Sequence, residues 1–340
     1  MRQAEAFQAA CITNGLWTGA VVLAGTGERV LFRQAWGWMD TEKRAPMPAE
    51  AVFDLSSVTK AVGTATALAV CIERGWVEPE AAFTNYLPAY AGVLKGPLSI
   101  RDLARHLSGF DNSKPYAVAG EVAQRIMRFS PVRPAGARYE YSCGNFILLG
   151  LVVEHAAKKD LASFCREHLF EPLGMRHTEW GPLRDPDPRK VVRQGIAGTL
   201  GVASDQPARH AGRPLGNAGL FSTADDLAAF CRMMLGGGAY NGKRVLAKET
   251  VRLLGTRPDD RSPVAWGWRV DAAFNPPSLS RATLSHTGWA GHSIWIDPAS
   301  QTYVIVLTNR IGAHERANMM RTELAELVLR GLGVGSGPQL

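Results

Sequence analysis

The sequence predicts an α+β fold, with an antiparallel sheet flanked by terminal helices and a helical region inserted into it. Three observations carry this. Apolar, strand-like runs occur near the start of the chain and again after about residue 262. The stretch between them is dominated by helical spacing and Pro/Gly-rich connectors. Neither terminal set is large enough to bury its own faces, so the two ends must meet in one sheet. The expected partition is a discontinuous sheet domain, residues 1–55 plus 260–340, and a mainly helical domain, 56–259, with the active site between them.

Taken in order, residues 3–13 read as an amphipathic helix with Ala6, Phe7, Ala10 and Cys11 on one side. Two apolar runs, 19–23 and 29–36, flank Gly25-Thr26-Gly27-Glu28, a hairpin signal. Gly25-x-Gly27 lacks the third glycine and the following helix that a nucleotide loop requires. From Val58 a helix is expected, because Val58, Ala61, Val62, Ala65, Leu68, Ala69 and Ile72 recur at its period. Ser56 or Ser57 is its expected N-cap and Gly75 its stop. Further helices are expected at 99–107, 118–129, 144–157 and 160–169. Another opens at Ser222-Thr223-Ala224-Asp225 with a capping-box pattern and runs to Leu235, before three glycines. Strands are expected at 264–270, 282–286, 293–297 and 303–308, with a turn at Asp297-Pro298-Ala299-Ser300. A closing helix spans about 315–332.

Composition narrows the function classes. The 340 residues are 46% apolar and 20% charged, ordinary for a globular protein, and no run reaches the length of a membrane span. The N-terminus has no apolar core and does not read as a signal peptide. Five cysteines, without a C-x-x-C pair, argue against a disulfide framework or zinc site, so a cytoplasmic location is expected. The net charge of +7 is spread along the chain with no basic run interleaved with aromatics, which speaks against nucleic acid as a partner. His106, His155, His168 and His177 lack metal-ligand spacing and read as surface or core residues; no metal or cofactor is expected.

The chemistry concentrates at Val52-Phe53-Asp54-Leu55-Ser56-Ser57-Val58-Thr59-Lys60. The helix it opens is small or apolar on every face, so it is expected to be buried, and Lys60 with it. Residues three apart share a helix face, which brings the Lys60 amine to the Ser57 hydroxyl. Burial is expected to lower the lysine pKa and make it a base for Ser57. The first helical turn would also offer free N–H groups to an oxyanion. The plainer alternative makes Ser57 a cap and lets Lys60 snorkel to water. A single S-x-x-K is weak evidence, but this is the only one in the chain and it falls on the most apolar helix.

Two further boxes follow in order: Tyr139-Glu140-Tyr141-Ser142-Cys143 before an apolar helix, and Ser285-His286-Thr287-Gly288 on a strand. With Val52–Lys60 they resemble the nucleophile, Y-x-N and K-T-G or H-T-G boxes of the class C β-lactamase superfamily. That superfamily includes penicillin-binding proteins, DD-peptidases and family VIII carboxylesterases. The resemblance covers about residues 18–310 and implies a β-lactamase/transpeptidase-like fold. It also implies a serine hydrolase acting through an acyl-enzyme, without a cofactor, on a small ester, amide, β-lactam or peptide.

On the matching positions, Ser57 would be the nucleophile, Lys60 its proton acceptor and Tyr141 a proton shuttle. The backbone N–H groups of Ser57 and Trp289 would form the oxyanion hole. His286, Thr287 and Gly288 would line the acyl group. Cys143 stands where the family has Asn, and a thiol lacks the paired donor and acceptor of an amide; Asn145 is a candidate substitute in substrate binding. His286 stands where most β-lactamases have lysine, weakening attraction for a carboxylate. Both changes favour esters or less charged amides over β-lactams. A penicillin-binding or acyl-binding module with little turnover is the alternative. Gly291-His292-Ser293 mimics half of a nucleophile elbow, but Trp295 occupies the place of its last glycine, so Ser293 reads as structural.

Overall fold

The computed structural model describes residues 1–91, 98–112, 131–193 and 199–335. The expected helix at 118–129 lies outside these. The main sheet has five strands: β1 (Trp17–Thr26), β2 (Val30–Gly37), β3 (Leu284–Gly288), β4 (His292–Asp297) and β5 (Thr302–Arg310), in the order β2-β1-β5-β4-β3. Every pairing is antiparallel. Both chain ends therefore contribute to one sheet, with β1 hydrogen-bonded to β5 across the middle.

The strands alternate their side chains at period two. Val21, Leu23, Ile305 and Leu307 enter the larger core, whereas Ala20, Val22, Ala24, Val304 and Val306 enter a second. Helices α1 (Arg2–Thr13) and α5 (His314–Gly331) cover the second face, burying Ala4, Cys11, Leu324, Val328 and Leu329. The larger core lies between the sheet and the helical middle. There α2 (Thr66–Glu73) packs on α3 (Cys143–Ala157), and α4 (Ala224–Leu235) lies against β1 and β5. Thr223 caps α4 by accepting the Asp226 N–H at 3.1 Å, as the capping-box pattern anticipates.

Three expectations are corrected. Residues 264–270 do not form a strand. Pro263 and two buried tryptophans flank Gly267, whose φ of +79° closes a turn in which the Ala265 N–H reaches the Trp268 carbonyl at 2.9 Å. Arg269 then pairs with Ser285 as an isolated bridge. The helix at 160–169 changes type partway, being α over Leu161–Cys165 and π over Arg166–Phe170.

The nucleophile helix, third, has no serine side-chain cap. Its first segment, Lys60–Ala65, is π-helical, and its opening turn is closed by backbone bonds from Thr59 N–H to Ser56 O and from Lys60 N–H to Ser57 O. Both serine hydroxyls point elsewhere. The apolar composition is what allows burial on all sides: every residue from Lys60 to Ala65 is buried. A π-turn widens the helix locally and is common where side chains converge on a site.

A second close approach positions the opposite wall. A Cβ on Gly216 would sit 2.1 Å from the Phe146 carbonyl oxygen and 3.1 Å from the Gly150 Cα, so α3 and the Gly216-Asn217 segment touch backbone to backbone. Gly216→Ala should force these apart and destabilise the protein by about 1–3 kcal/mol in urea unfolding, with loss of activity at residual native populations. An unchanged midpoint would contradict this packing.

Candidate functional site

A cavity of about 710 Å³ opens over Ser57, between the nucleophile helix, the loop before α3, β3 and the short helix Gln206–His210. Ser57 Oγ lies between two donors, Lys60 Nζ at 2.9 Å and the Tyr141 hydroxyl at 2.9 Å. Lys60 is fully buried and also donates to the Asn217 carbonyl at 2.8 Å. Its Nζ is 5.1 Å from the centroid of the Tyr141 ring. Three residues named from the sequence thus converge on one oxygen, and the snorkelling alternative for Lys60 is excluded by its burial.

The electrostatics differ from expectation. Burial pulls the Lys60 amine down, but the negative charge that Cys143 and Tyr141 carry when ionised, with Asp205 beyond, outweighs burial and holds it above the ordinary lysine range. Burial pushes both the Tyr141 phenol and the Cys143 thiol up, against the pull of Lys60. The three groups are thus coupled: an anion at Tyr141 or Cys143 favours the ammonium, and the ammonium favours either anion. Protons leave such tightly coupled groups as a set rather than from one residue.

Tyr141 is steered from behind by His106, a buried ring 4.6 Å away, centroid to centroid. His106 Nδ1 accepts the Ser142 N–H at 3.1 Å, and Asn145 Nδ2 faces the same nitrogen at 3.1 Å. Asn145 is fully buried and outside the cavity lining, so the structure does not bring it to substrate; on the first turn of α3 it points to the core. Cys143 does line the cavity, and its N–H is held by Asn112 Oδ1 at 3.0 Å.

On β3, His286 and Thr287 line the cavity. His286 Nδ1 donates to its neighbour's carbonyl, Thr287 O, at 2.8 Å. Burial first, then the Lys60 charge, push the imidazole down to about 3, so it is neutral at physiological pH. Gly288, expected to line the acyl group, lies outside the cavity lining. A Cβ there would meet the Leu55 carbonyl oxygen at 2.7 Å, so its small size lets β3 close on the nucleophile loop rather than admit substrate. Trp289 is half exposed on the cavity lip, stacked 4.7 Å from the Arg310 guanidinium. Among the described residues, neither the Ser57 nor the Trp289 N–H donates to another protein group. Ser293 is buried and accepts from Arg321 Nε at 2.9 Å, a structural role as anticipated.

Several contributors escaped sequence reasoning. Asn217, whose carbonyl meets Lys60, lies in Gly216-Asn217-Ala218-Gly219, where glycine density was the available signal. His106 carried none, since it has no motif. Arg269, tied to Asp271 at 2.7 Å, and Arg209 also line the cavity. Among the described residues no group of three or more His, Cys, Asp or Glu side chains could hold a metal, and no helix is long and apolar enough to cross a membrane.

Comparison with known proteins finds relatives over nearly the whole chain. A family model described as beta-lactamase matches residues 9–329. A putative D-alanyl-D-alanine carboxypeptidase of Escherichia coli (strain K12) is 30% identical over 329 residues, covering 83% of this chain and 76% of the relative. Among solved structures, EstCE1, a hydrolase with promiscuous acyltransferase activity, superposes with a TM-score of 0.77 at 23% identity over 96% of this chain and 98% of the other. A penicillin-binding protein homolog from Caulobacter crescentus gives 0.77 at 18% identity over 94% and 95%. At these identities the structural likeness is one of fold.

Three buried histidines give a test of the electrostatics. His286 and His292 are pushed down to about 3 and His106 well below its usual value, each chiefly by burial. The unfolded chain protonates them near pH 6.5 and the folded chain does not, so the unfolded state binds more protons in acid. Stability should therefore fall below about pH 6.5, by up to about 1.4 kcal/mol per pH unit for each histidine. Urea unfolding at a series of pH values checks this; a flat profile between about pH 6.5 and 4.5 would contradict it.

Proposed function

The chain belongs to the beta-lactamase family, and on that premise we propose that this serine hydrolase is acylated at Ser57 and acts on uncharged esters or small amides in preference to β-lactams. The observation that carries the proposal is the convergence of Lys60 Nζ and the Tyr141 hydroxyl on Ser57 Oγ, each at 2.9 Å.

The reaction begins when the Lys60–Tyr141 set loses one proton to solvent. That vacancy belongs to the pair, whether written as amine with phenol or as ammonium with phenolate. Ser57 then passes its proton to the pair as Oγ bonds to the carbonyl carbon. The oxyanion is received by the N–H groups of Ser57 and Trp289. The pair returns the proton to the leaving alcohol or amine, and a water attacks the acyl-enzyme by the reverse sequence. No cofactor enters these steps.

Substrate preference follows from what lines the cavity. His286 is neutral where a cation would hold a carboxylate, Cys143 offers no amide, and Arg269 is committed to Asp271. These features support ester or weakly charged amide substrates, with DD-peptide cleavage and slow β-lactam hydrolysis as lesser activities. The relatives named D-alanyl-D-alanine carboxypeptidase keep a peptide within the same class. A second reading, an acyl-binding module with little turnover, draws on the protonated state of Lys60 at rest. Intact-mass measurement after mixing with a short-chain nitrophenyl ester separates the two, because a persistent acyl adduct favours the binder and a transient one the hydrolase. The proposal extends to a sheet unit of residues 1–55 with 260–340 and a helical unit of 56–259. It also includes residence in a reducing cytoplasm, supported by five buried free thiols.

Ser57→Ala should reduce hydrolysis of short-chain nitrophenyl esters by about four orders of magnitude or more, and Tyr141→Phe by about 10²–10³-fold. Wild-type kcat/KM should rise from about pH 6 to pH 9 without a descending limb, since the reactive form has lost a proton from groups that all sit above their usual values. Full activity in the Ser57→Ala variant, or faster turnover of a chromogenic cephalosporin than of any ester, would defeat the proposal.

A further inference from the structure

The residue before the nucleophile is unusual in both conformation and connections. Ser56 has φ of +48°, a left-handed conformation that a residue with a Cβ seldom adopts unless its surroundings enforce it. The enforcement is visible. Asp54, fully buried, accepts the Ser56 N–H through Oδ1 at 3.0 Å and the Ser204 N–H through Oδ2 at 2.6 Å. Ser56 Oγ shares a hydrogen bond with Ser204 Oγ at 3.0 Å and accepts the Ala290 N–H at 3.3 Å.

That last contact matters because of where it falls. Ser56 directly precedes Ser57, and Ala290 directly follows Trp289, so one hydroxyl joins the two backbone segments whose N–H groups are the candidate oxyanion donors. An independent contact supports the same closure: the Leu55 carbonyl lies so near Gly288 that a Cβ there would approach it to 2.7 Å. The two segments are thus fastened on both sides of Trp289, at 288 and 290, to the two residues just before Ser57, at 55 and 56. A hydroxyl at position 56 is not needed for the left-handed turn, which glycine adopts more easily. Its retention at the cost of that conformation calls for a function of the oxygen itself.

We propose that Ser56 is a positioning residue whose hydroxyl sets the spacing of the Ser57 and Trp289 N–H groups, and through it the polarisation of the acyl carbonyl. The inference rests on the reading of Ser57 as the acylated residue. Oxyanion donors act only when held close to where the charge develops, and small displacements there cost rate rather than binding.

The test compares Ser56→Gly and Ser56→Ala with wild type and Ser57→Ala on a neutral nitrophenyl ester, and records the infrared carbonyl band of the trapped acyl-enzyme. Ser56→Gly should lower kcat by about tenfold to a hundredfold with KM nearly unchanged. It should move the acyl carbonyl band to higher wavenumber, and should melt no lower than wild type because glycine relieves the left-handed turn. Ser56→Ala should show the same kinetic and spectroscopic change. A Ser56→Gly enzyme with wild-type kcat, or one slowed with its carbonyl band unmoved, overturns the inference while leaving acylation at Ser57 intact. Acylation persisting in Ser57→Ala removes the underlying reading instead, and this inference falls with it.

Discussion

The structure is governed by the burial of one ammonium group inside an apolar helix. Lys60 is fully excluded from water, and among the described residues no carboxylate touches it. A buried charge without a counter-ion is costly unless dipoles replace its hydration. Here the dipoles are the Ser57 hydroxyl, the Asn217 carbonyl and the π-face of Tyr141. Each comes from a separate part of the chain, and each needs its own support. Asn217 is brought in by the glycine contact with α3, and Tyr141 is braced by His106. The solvation shell of one amine and the reactive centre are therefore the same set of atoms.

How much of this the sequence disclosed depends on whether a residue's role is local. Val58–Ile72 announced a buried helix because periodicity and composition are properties of consecutive residues. Ser57, Lys60 and Tyr141 were legible for that reason and because their boxes fall on the right elements. The alternating apolar residues of β1 and β5 and the turn at Asp297 were equally plain. What stayed hidden involves partners far apart in the chain. Asn217 offers Lys60 a backbone oxygen, which any residue carries, and the Ser56–Ala290 contact spans more than two hundred positions. Asn145 was a candidate only by its nearness to Cys143; two residues on along a helix is a different face, and the structure buries it away from the cavity. The lysine pKa direction differs from expectation because burial was weighed alone, whereas the negative charge that Tyr141 and Cys143 carry when ionised, with Asp205, reverses it. Residues 264–270 looked like a strand by apolarity, but Pro263 and Gly267 bend them into a turn.

The walls of the cavity divide along the same line between charge and shape. Its floor is positive through Lys60, whose field also helps keep His286 and His106 unprotonated. Its rim is formed partly by aromatic rings on arginines, Trp289 over Arg310 and Phe274 over Arg269. Arg310 is half committed to backbone carbonyls at Trp289 and Gly312, each at 2.6 Å, so the stack is anchored from beneath. A substrate meets flat apolar surface first and the concentrated charge only at the scissile bond.

The sheet's strand order also has a consequence for how the protein is made. The strands next to the nucleophile loop, β3 and β4, and β5, which pairs with β1, all lie beyond residue 283 and so leave the ribosome after the helical middle. Until then β1 has an unpaired side, and the helical middle has nothing to close against. Long-range pairing of this kind is slow and leaves strand edges exposed while it waits. A ribosome stalled before residue 284 would hold the Ser57 helix without Trp289, the partner proposed for its N–H.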